Sequence, residues 1–330
     1  MKAVRFENYG DIDELRVVEI AKPQAGPGQV VVAVKAAGLN PGEAAIRAGL
    51  LHDVFPAAFP SGQGTDFAGI VDEVGEGVDE WSPGDEVAGW ATRSSHAEFV
   101  VVPSDQLVRK PDGIGWETAG SISVTGPTAF AALRAVQATE GDTIAVSAAA
   151  GGVGVLVSQL AVLGGLTVIG TASEQNHDFL RSLGVIPVEY GEGVVERIRA
   201  AAPDGVDAFI DCYGHGNVEY ALELGVAPQR IDTIADFDAV ERHGVKAEGS
   251  AQATTQAVLT ELLGLISEAK ITVPIDGVFP IDEVRSAYRD LEDGHARGKY
   301  VLGMDVVEYP GEHAGERAGS DDRTEEHDAT

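Results

Sequence analysis

Short apolar-rich segments recur at KAVRF (2–6), ELRVVEI (14–20), VVVAVKAAG (30–38), FAGIVDEVG (67–75), DEVAGWA (85–91) and AEFVVVP (97–103). Their length and valine content predict short strands, and Pro23, Pro27 and Pro83–Gly84–Asp85 supply turns between them. One short helix is expected near 41–48, so residues 1 to about 110 read as mostly β. The rhythm then changes. WETAGSISVTGPTAFAALRAV (116–136) reads as helical, and from TIAVSA (143–148) onward apolar strand segments alternate with helical ones. The strands are LTVIGTA, VIPVEY, VDAFIDCYG and RIDTIAD, separated by VGVLVSQLAVLGG, EQNHDFLRSLG, VVERIRAAA and NVEYALELG. Such alternation over short connections predicts a parallel sheet covered on both faces. The helix TTQAVLTELLGLISEAK, the strand and turn ITVPIDGVFP, the helix IDEVRSAYRDLEDG and a closing strand GKYVLGMDV complete the pattern. The closing strand is expected back in the first, β-rich domain.

The expected fold class is therefore α/β, with a mostly-β domain and a parallel-sheet domain of the dinucleotide-binding kind. The expected boundaries are 1–122 for the first domain, 123–266 for the second, 267–309 for the return to the first, and 310–330 for an acidic tail expected to be disordered.

The glycine-rich turn AAAGGVG (148–154) sits between the strand TIAV and the helix VLVSQLAVL. Ala149, Gly151 and Gly154 fall at the spacing of the dinucleotide fingerprint, with alanine in place of the first glycine. The turn Ala150–Gly151–Gly152–Val153–Gly154 is expected to bring backbone amides to a pyrophosphate at the helix N-terminus. Tight helix–strand packing alone is the competing reading. At the end of the second strand, Gly170–Thr171–Ala172–Ser173 carries no carboxylate to accept ribose hydroxyls, and Glu174 comes next. Ser173, Gln175 and Asn176 can instead donate to a 2′-phosphate, so NADP is the expected cofactor. The turn itself holds no arginine or lysine, and Arg181 lies a helical turn or more beyond.

Composition narrows the function. Of 330 residues, 53 are acidic and 23 basic, for a formal charge of −30. That charge opposes nonspecific nucleic-acid binding, which needs a cationic surface. Adaptation to high salt and plain solubility are both open readings of it. No apolar stretch is long enough for a membrane span, and MKAVRFENYG does not resemble a signal peptide, so a cytoplasmic location is expected. The single cysteine, Cys212, excludes an intrachain disulfide and is expected to act as a small buried side chain.

The chain resembles the zinc-independent, quinone oxidoreductase-like branch of the medium-chain dehydrogenase/reductase superfamily. The resemblance rests on AAGLNPGEAAIRAG (36–49), GTDFAGIVDEVGEGV (64–78), PGDEVAG (83–89), GPTAFAAL (126–133), AAAGGVG (148–154) and GHARGKYVL (294–302). It implies a GroES-like β domain, a Rossmann domain and a cleft for nicotinamide and a small-molecule substrate, in a homodimer. It implies that Asn40, Pro41 and Thr128 lie on the nicotinamide side and that Ser173 and Gln175 face the 2′-phosphate. It also sets Tyr190 near the adenine and Thr233 with Ile234 beneath the cofactor. Relatives often carry a tyrosine where this chain has Ala45. Arg47 and His52 are weak candidates for substrate contact.

Catalytic zinc in the superfamily uses a cysteine near the first of these segments and a histidine in a GHE run. Here Asn40 and Gly64–Thr65–Asp66 stand in those places, and His52, His96, His215 and His243 are scattered, so no metal is expected. Asp66 reads as a buried or turn-bonding carboxylate. The expected activity is NADPH-dependent hydride transfer to a quinone, an enone or a related activated carbonyl compound. A non-catalytic NADPH-binding sensor is the alternative, and no proton donor stands out.

Overall fold

The computed structural model describes residues 1–304; the expected disordered tail at 310–330 lies outside the described residues. The N-terminal part forms two β-sheets. In the smaller, Lys2–Phe6 pairs antiparallel with Arg16–Glu19 on one side and Ser61–Gly62 on the other. In the larger, Gln29–Gly38 runs through the centre, bonded to Asp66–Val74, Phe99–Pro103 and Lys299–Gly303. Glu86–Trp90 and Leu107–Arg109 extend the sheet on one side, and Ile275–Pro280 closes it on the other. The alternating valines of Gln29–Gly38 are buried with Phe67, Val87 and Leu107, which explains why this strand holds the centre.

The second part is a five-stranded parallel sheet in the order Ile186–Glu189, Thr167–Ala172, Thr143–Val146, Ala208–Asp211, Ile231–Thr233. Its strands are apolar because helices cover both faces, and two clusters of buried aliphatic residues flank it. Strand order reverses between Thr143–Val146 and Ala208–Asp211, the kind of switch point at whose carboxyl ends open α/β sheets bind ligands. Ser147 and Asp211 clamp this point: the hydroxyl donates to the carboxylate at 2.7 Å, and the Cys212 amide donates to the hydroxyl at 2.8 Å.

The closing strand returns to the β-rich part as expected, Leu302 opposite Ala37 of the central strand. Two helices lack a counterpart in the sequence pattern, Phe237–His243 and Ser250–Ala253. The first buries only Ala239 and is held by its cap, where the Asp236 carboxylate accepts from the Ala239 amide at 3.1 Å. Among the described residues no helix is long and apolar enough to cross a membrane.

Candidate functional site

The turn between Thr143–Val146 and the helix Gly154–Leu163 faces the junction of the two parts. Gly154 is required for close approach: a Cβ there would stand 2.2 Å from the Ala148 carbonyl oxygen. Ala149, in the place of the first fingerprint glycine, is fully buried against the second strand. A Cβ on Gly170 would come within 2.6 Å of the Ala149 methyl, so the missing side chain at 170 makes room for the alanine. At Gly152 an added Cβ would stand 3.2 Å from Lys299 Cδ and 3.3 Å from the Gly298 carbonyl. The absent side chain keeps a narrow space open beside the first amides of the helix, which lack intrahelical acceptors. These residues fit a diphosphate.

The other wall comes from the β-rich part. Gly298 donates its amide to the Ala150 carbonyl at 2.9 Å, joining the last strand to the glycine turn. The next residue, Lys299, is buried. Its ammonium donates to Asn40 Oδ1 at 2.6 Å and the Leu39 carbonyl at 2.7 Å, and lies 3.4 Å from Asp66 Oδ2. Asn40 opens the helix Pro41–Arg47 in a capping box with Glu43: its amide donates to Glu43 Oε2 at 3.1 Å. The Asn40 Nδ2 donates to both Glu43 Oε1 and Asp66 Oδ2, each at 3.1 Å.

Behind Glu43 the network continues. Tyr288 donates its hydroxyl to Glu43 Oε2 at 2.8 Å, and Gln63 donates to the Tyr288 oxygen at 2.8 Å. His96 Nε2 lies 3.1 Å from the Gly38 carbonyl. Burial pushes the Asp66 carboxyl up to about 6 despite the neighbouring Lys299 ammonium, and Asp66 Oδ1 has no hydrogen-bond partner. Burial lowers the pKa of His96, and burial together with Glu43 holds the Tyr288 hydroxyl well above its ordinary value. The neutral forms of His96 and Tyr288 are favoured.

The remaining sequence-predicted residues fall in several places. Pro41 is the exposed first residue of its helix. Thr128 is buried in the helix Thr125–Ala135 and donates to the Val124 carbonyl at 2.7 Å. Ala150, Gly151 and Val153 belong to the glycine turn, and Ser173 and Gln175 stand at the end of the second strand. Ser173 Oγ accepts from Asn176 Nδ2 at 3.2 Å. Tyr190 is exposed beyond Ile186–Glu189. Thr233 is buried and donates to Asp211 Oδ2 at 2.8 Å; the Ile234 amide donates to the Asp211 carbonyl at 3.0 Å.

Arg47 differs from the sequence expectation. Its guanidinium is buried inside the β-rich part, 2.8 Å from Glu292 Oε1 and over the Tyr288 ring, so it ties its helix to Val284–Glu292 instead of offering a charge to substrate. The structure does not bring it together with His52, whose exposed ring pairs with Asp53 at 3.1 Å. Cys212 is partly buried, and burial with Asp211 and Asp232 nearby raises its thiol pKa well above the ordinary value, which opposes nucleophilic chemistry. Sequence reasoning missed Lys299, Glu43, Gln63 and Tyr288. The one available signal was a lysine within the apolar strand KYVLG.

A β domain closed by the chain's last strand, joined to a parallel sheet whose glycine turn faces that junction, defines a two-domain medium-chain dehydrogenase/reductase. Residues 26–112 match the alcohol dehydrogenase GroES-like domain family, and residues 183–302 match the zinc-binding dehydrogenase family. The chain is 32% identical to the chloroplastic NADPH-dependent alkenal/one oxidoreductase of Arabidopsis thaliana over 317 residues, 92% of this chain and 79% of that one. The quinone oxidoreductase structure from Coxiella burnetii superposes with a TM-score of 0.80 at 31% identity, covering 92% and 99% of the two chains. The mycobacterial Rv1454c structure, complexed with NADPH, superposes with a TM-score of 0.81 at 26% identity, covering 92% and 100%. The chain belongs to the quinone oxidoreductase-like branch of the medium-chain dehydrogenase/reductase superfamily, with its GroES-like and Rossmann domains. Among the described residues, no group of three or more His, Cys, Asp or Glu side chains could hold a metal ion.

Proposed function

We propose that this oxidoreductase uses NADPH to reduce a quinone, an enone or a related activated carbonyl compound, without zinc. One observation carries the reading: the glycine turn and the Asn40–Lys299 contact meet at a single junction, where Gly298 bonds to Ala150 at 2.9 Å. The Arabidopsis relative is by name NADPH-dependent and acts on alkenals and alkenones, the Coxiella structure is of a quinone oxidoreductase, and the mycobacterial structure holds NADPH. The residues of this chain fit the same cofactor.

In this reading residues 123–266 hold the dinucleotide, while 1–122 and 267–309 form the catalytic domain. The Ala150–Gly154 backbone binds the diphosphate, Ser173 and Gln175 take the 2′-phosphate, and Tyr190 lies by the adenine. Thr233 and Ile234 pass beneath the cofactor, and Asn40, Pro41 and Thr128 border the nicotinamide. Bound NADPH supplies the hydride. Asn40 cannot swing freely, because Lys299, Glu43 and Asp66 all hold its amide group. Such fixed positioning serves hydride transfer, in which the distance and alignment of two carbons dominate the rate.

Independence from zinc is supported by the chemistry of the cluster. The Lys299 ammonium already stands between Asn40 and Asp66, so a divalent ion there would meet a fixed like charge in a buried setting. The segment that follows the helix Pro41–Arg47 exposes Leu50, Val54, Phe55 and Phe59, an apolar surface suited to flat, weakly polar acceptors. A homodimer in the cytoplasm completes the proposal.

The test is NADPH oxidation by the purified chain against quinones, enones and saturated aldehydes, with and without a metal chelator. Turnover of quinones or enones that survives chelation is expected. NADPH binding without turnover of any acceptor would overturn the reading, and activity lost on chelation would overturn its zinc independence.

A further inference from the structure

The second-strand turn lacks a cation in its own sequence, yet the fold brings one to it. Arg297, in the segment that leads from the helix Val284–Glu292 into the last strand, reaches across the domain junction to residues 175 and 176. Its Nε donates to Asn176 Oδ1 at 2.7 Å and its Nη2 to the Gln175 carbonyl at 3.4 Å. The guanidinium lies over the Phe179 ring, 5.3 Å from its centroid, and Arg297's backbone amide donates to Asp276 Oδ2 at 3.2 Å. Among the described residues no carboxylate forms a salt bridge with this guanidinium, although the chain carries 53 acidic residues against 23 basic ones. Stem and plane are thus fixed by an aromatic face and two acceptors, and the side chain stays exposed to an anion from solvent.

We propose that Arg297 is the cation that recognises the 2′-phosphate of NADPH, supplied by the catalytic domain to a turn of the other domain. The inference rests on the NADPH reading above and adds the residue that sets NADPH against NADH. In open α/β sheets the end of the second strand meets the adenosine ribose, and an arginine near it accommodates a 2′-phosphate. Ser173 Oγ already accepts from Asn176 Nδ2, so Ser173, Asn176 and Arg297 form one connected set of polar groups around the phosphate position. Because Arg297 precedes Gly298 and Lys299, one three-residue segment touches the 2′-phosphate turn, the glycine turn and Asn40. A 2′-phosphate bound here holds the two domains together, and NADH has no group that can do so.

The experiment measures dissociation constants of NADPH, NADH and 2′,5′-ADP for the wild type and for Arg297→Gln, by nicotinamide fluorescence and calorimetry. Charge-assisted hydrogen bonds of this kind correspond to a loss of about ten- to hundredfold on removal. NADPH and 2′,5′-ADP are expected to weaken by that factor, with NADH unchanged within about twofold. Arg297→Lys is expected to fall between the two, and it carries the test if the glutamine variant does not fold. Arg181→Gln, whose guanidinium pairs with Asp178 at 2.7 Å, is expected to leave all three constants unchanged. Equal weakening of NADPH and NADH would show a purely structural tie between domains and overturn the inference, as would an unchanged NADPH preference. If the wild type binds neither cofactor, the NADPH reading itself fails, which is a separate result.

Discussion

Ala149 and Gly170 share one van der Waals space. The alanine methyl lies where a side chain on the second strand would be, and a Cβ at 170 would meet it at 2.6 Å. A departure from the dinucleotide fingerprint at one position is therefore matched by a glycine 21 residues away along the chain and adjacent in space.

This relationship predicts a reciprocal pair of variants. Gly170→Ala overpacks the contact between turn and strand and is expected to lower unfolding free energy by about 1–3 kcal/mol. Gly170→Ala combined with Ala149→Gly restores part of that loss, because the clash with the Ala149 methyl is removed while the new methyl still stands 2.8 Å from Val185 Cγ1. Denaturant unfolding of the two single variants and the double variant measures it; additive losses would sink the account.

The buried Lys299–Asp66 contact predicts an asymmetric result. Lys299→Met leaves Asp66 buried without its cation and Asn40 Oδ1 without its donor, at an expected cost of about 3–5 kcal/mol. Adding Asp66→Asn removes the uncompensated carboxylate and is expected to recover part of this. Thermal melts at neutral pH decide it, and a double variant less stable than Lys299→Met would contradict the electrostatic origin.

Asp232 predicts a pH dependence of stability. Burial, with Glu248 and Asp211 near, pushes its carboxyl up to about 7, although the Glu248 amide donates to it at 2.8 Å. An unfolded aspartate titrates at about 3.9, so between about 4 and 7 the folded chain keeps a proton that the unfolded chain has released. The contribution of Asp232 to stability is therefore greatest below that window and declines as pH rises through it. Asp66, raised to about 6, adds to the same trend. Asp232→Asn is expected to flatten part of the slope between pH 5 and 8. A variant with the wild-type slope would count against it.

The charge of −30 predicts stabilisation by salt. Screening shortens from about 10 Å at 0.1 M to about 3 Å at 1 M, which weakens repulsion among surface carboxylates. The unfolding midpoint is expected to rise over that range in sodium chloride. A midpoint that stays level or falls would show that surface repulsion is not a significant destabilising force.

Legibility along the chain followed local pattern. Gln29–Gly38 and Thr143–Val146 were evident because burial on one or both faces imposes a short apolar period on the residues themselves. Phe237–His243 was not, since a cap and the Arg242–Glu219 ion pair hold it with almost no apolar stripe. Ser61–Gly62 is too short to have a period at all. Among candidate site residues, the glycine turn and Asn40 were evident from spacing and resemblance. Arg47 was not placed correctly, because nothing local shows that Glu292 and Tyr288 enclose its guanidinium.

By itself the sequence determined the order of most strands and helices, the glycine turn at a helix start, and a second strand whose end, Gly170–Ser173, carries no carboxylate before Glu174. These are properties of neighbouring residues, and local sterics and periodicity express them directly. Only the tertiary structure decided which charges meet at the junction. Arg297 reaches Asn176 across 121 residues of chain, and Lys299 reaches Asn40 across 259. Both contacts exist because the last strand returns to pair with Gln29–Gly38, a long-range closure driven by buried sheet surface to which no local pattern in either segment refers.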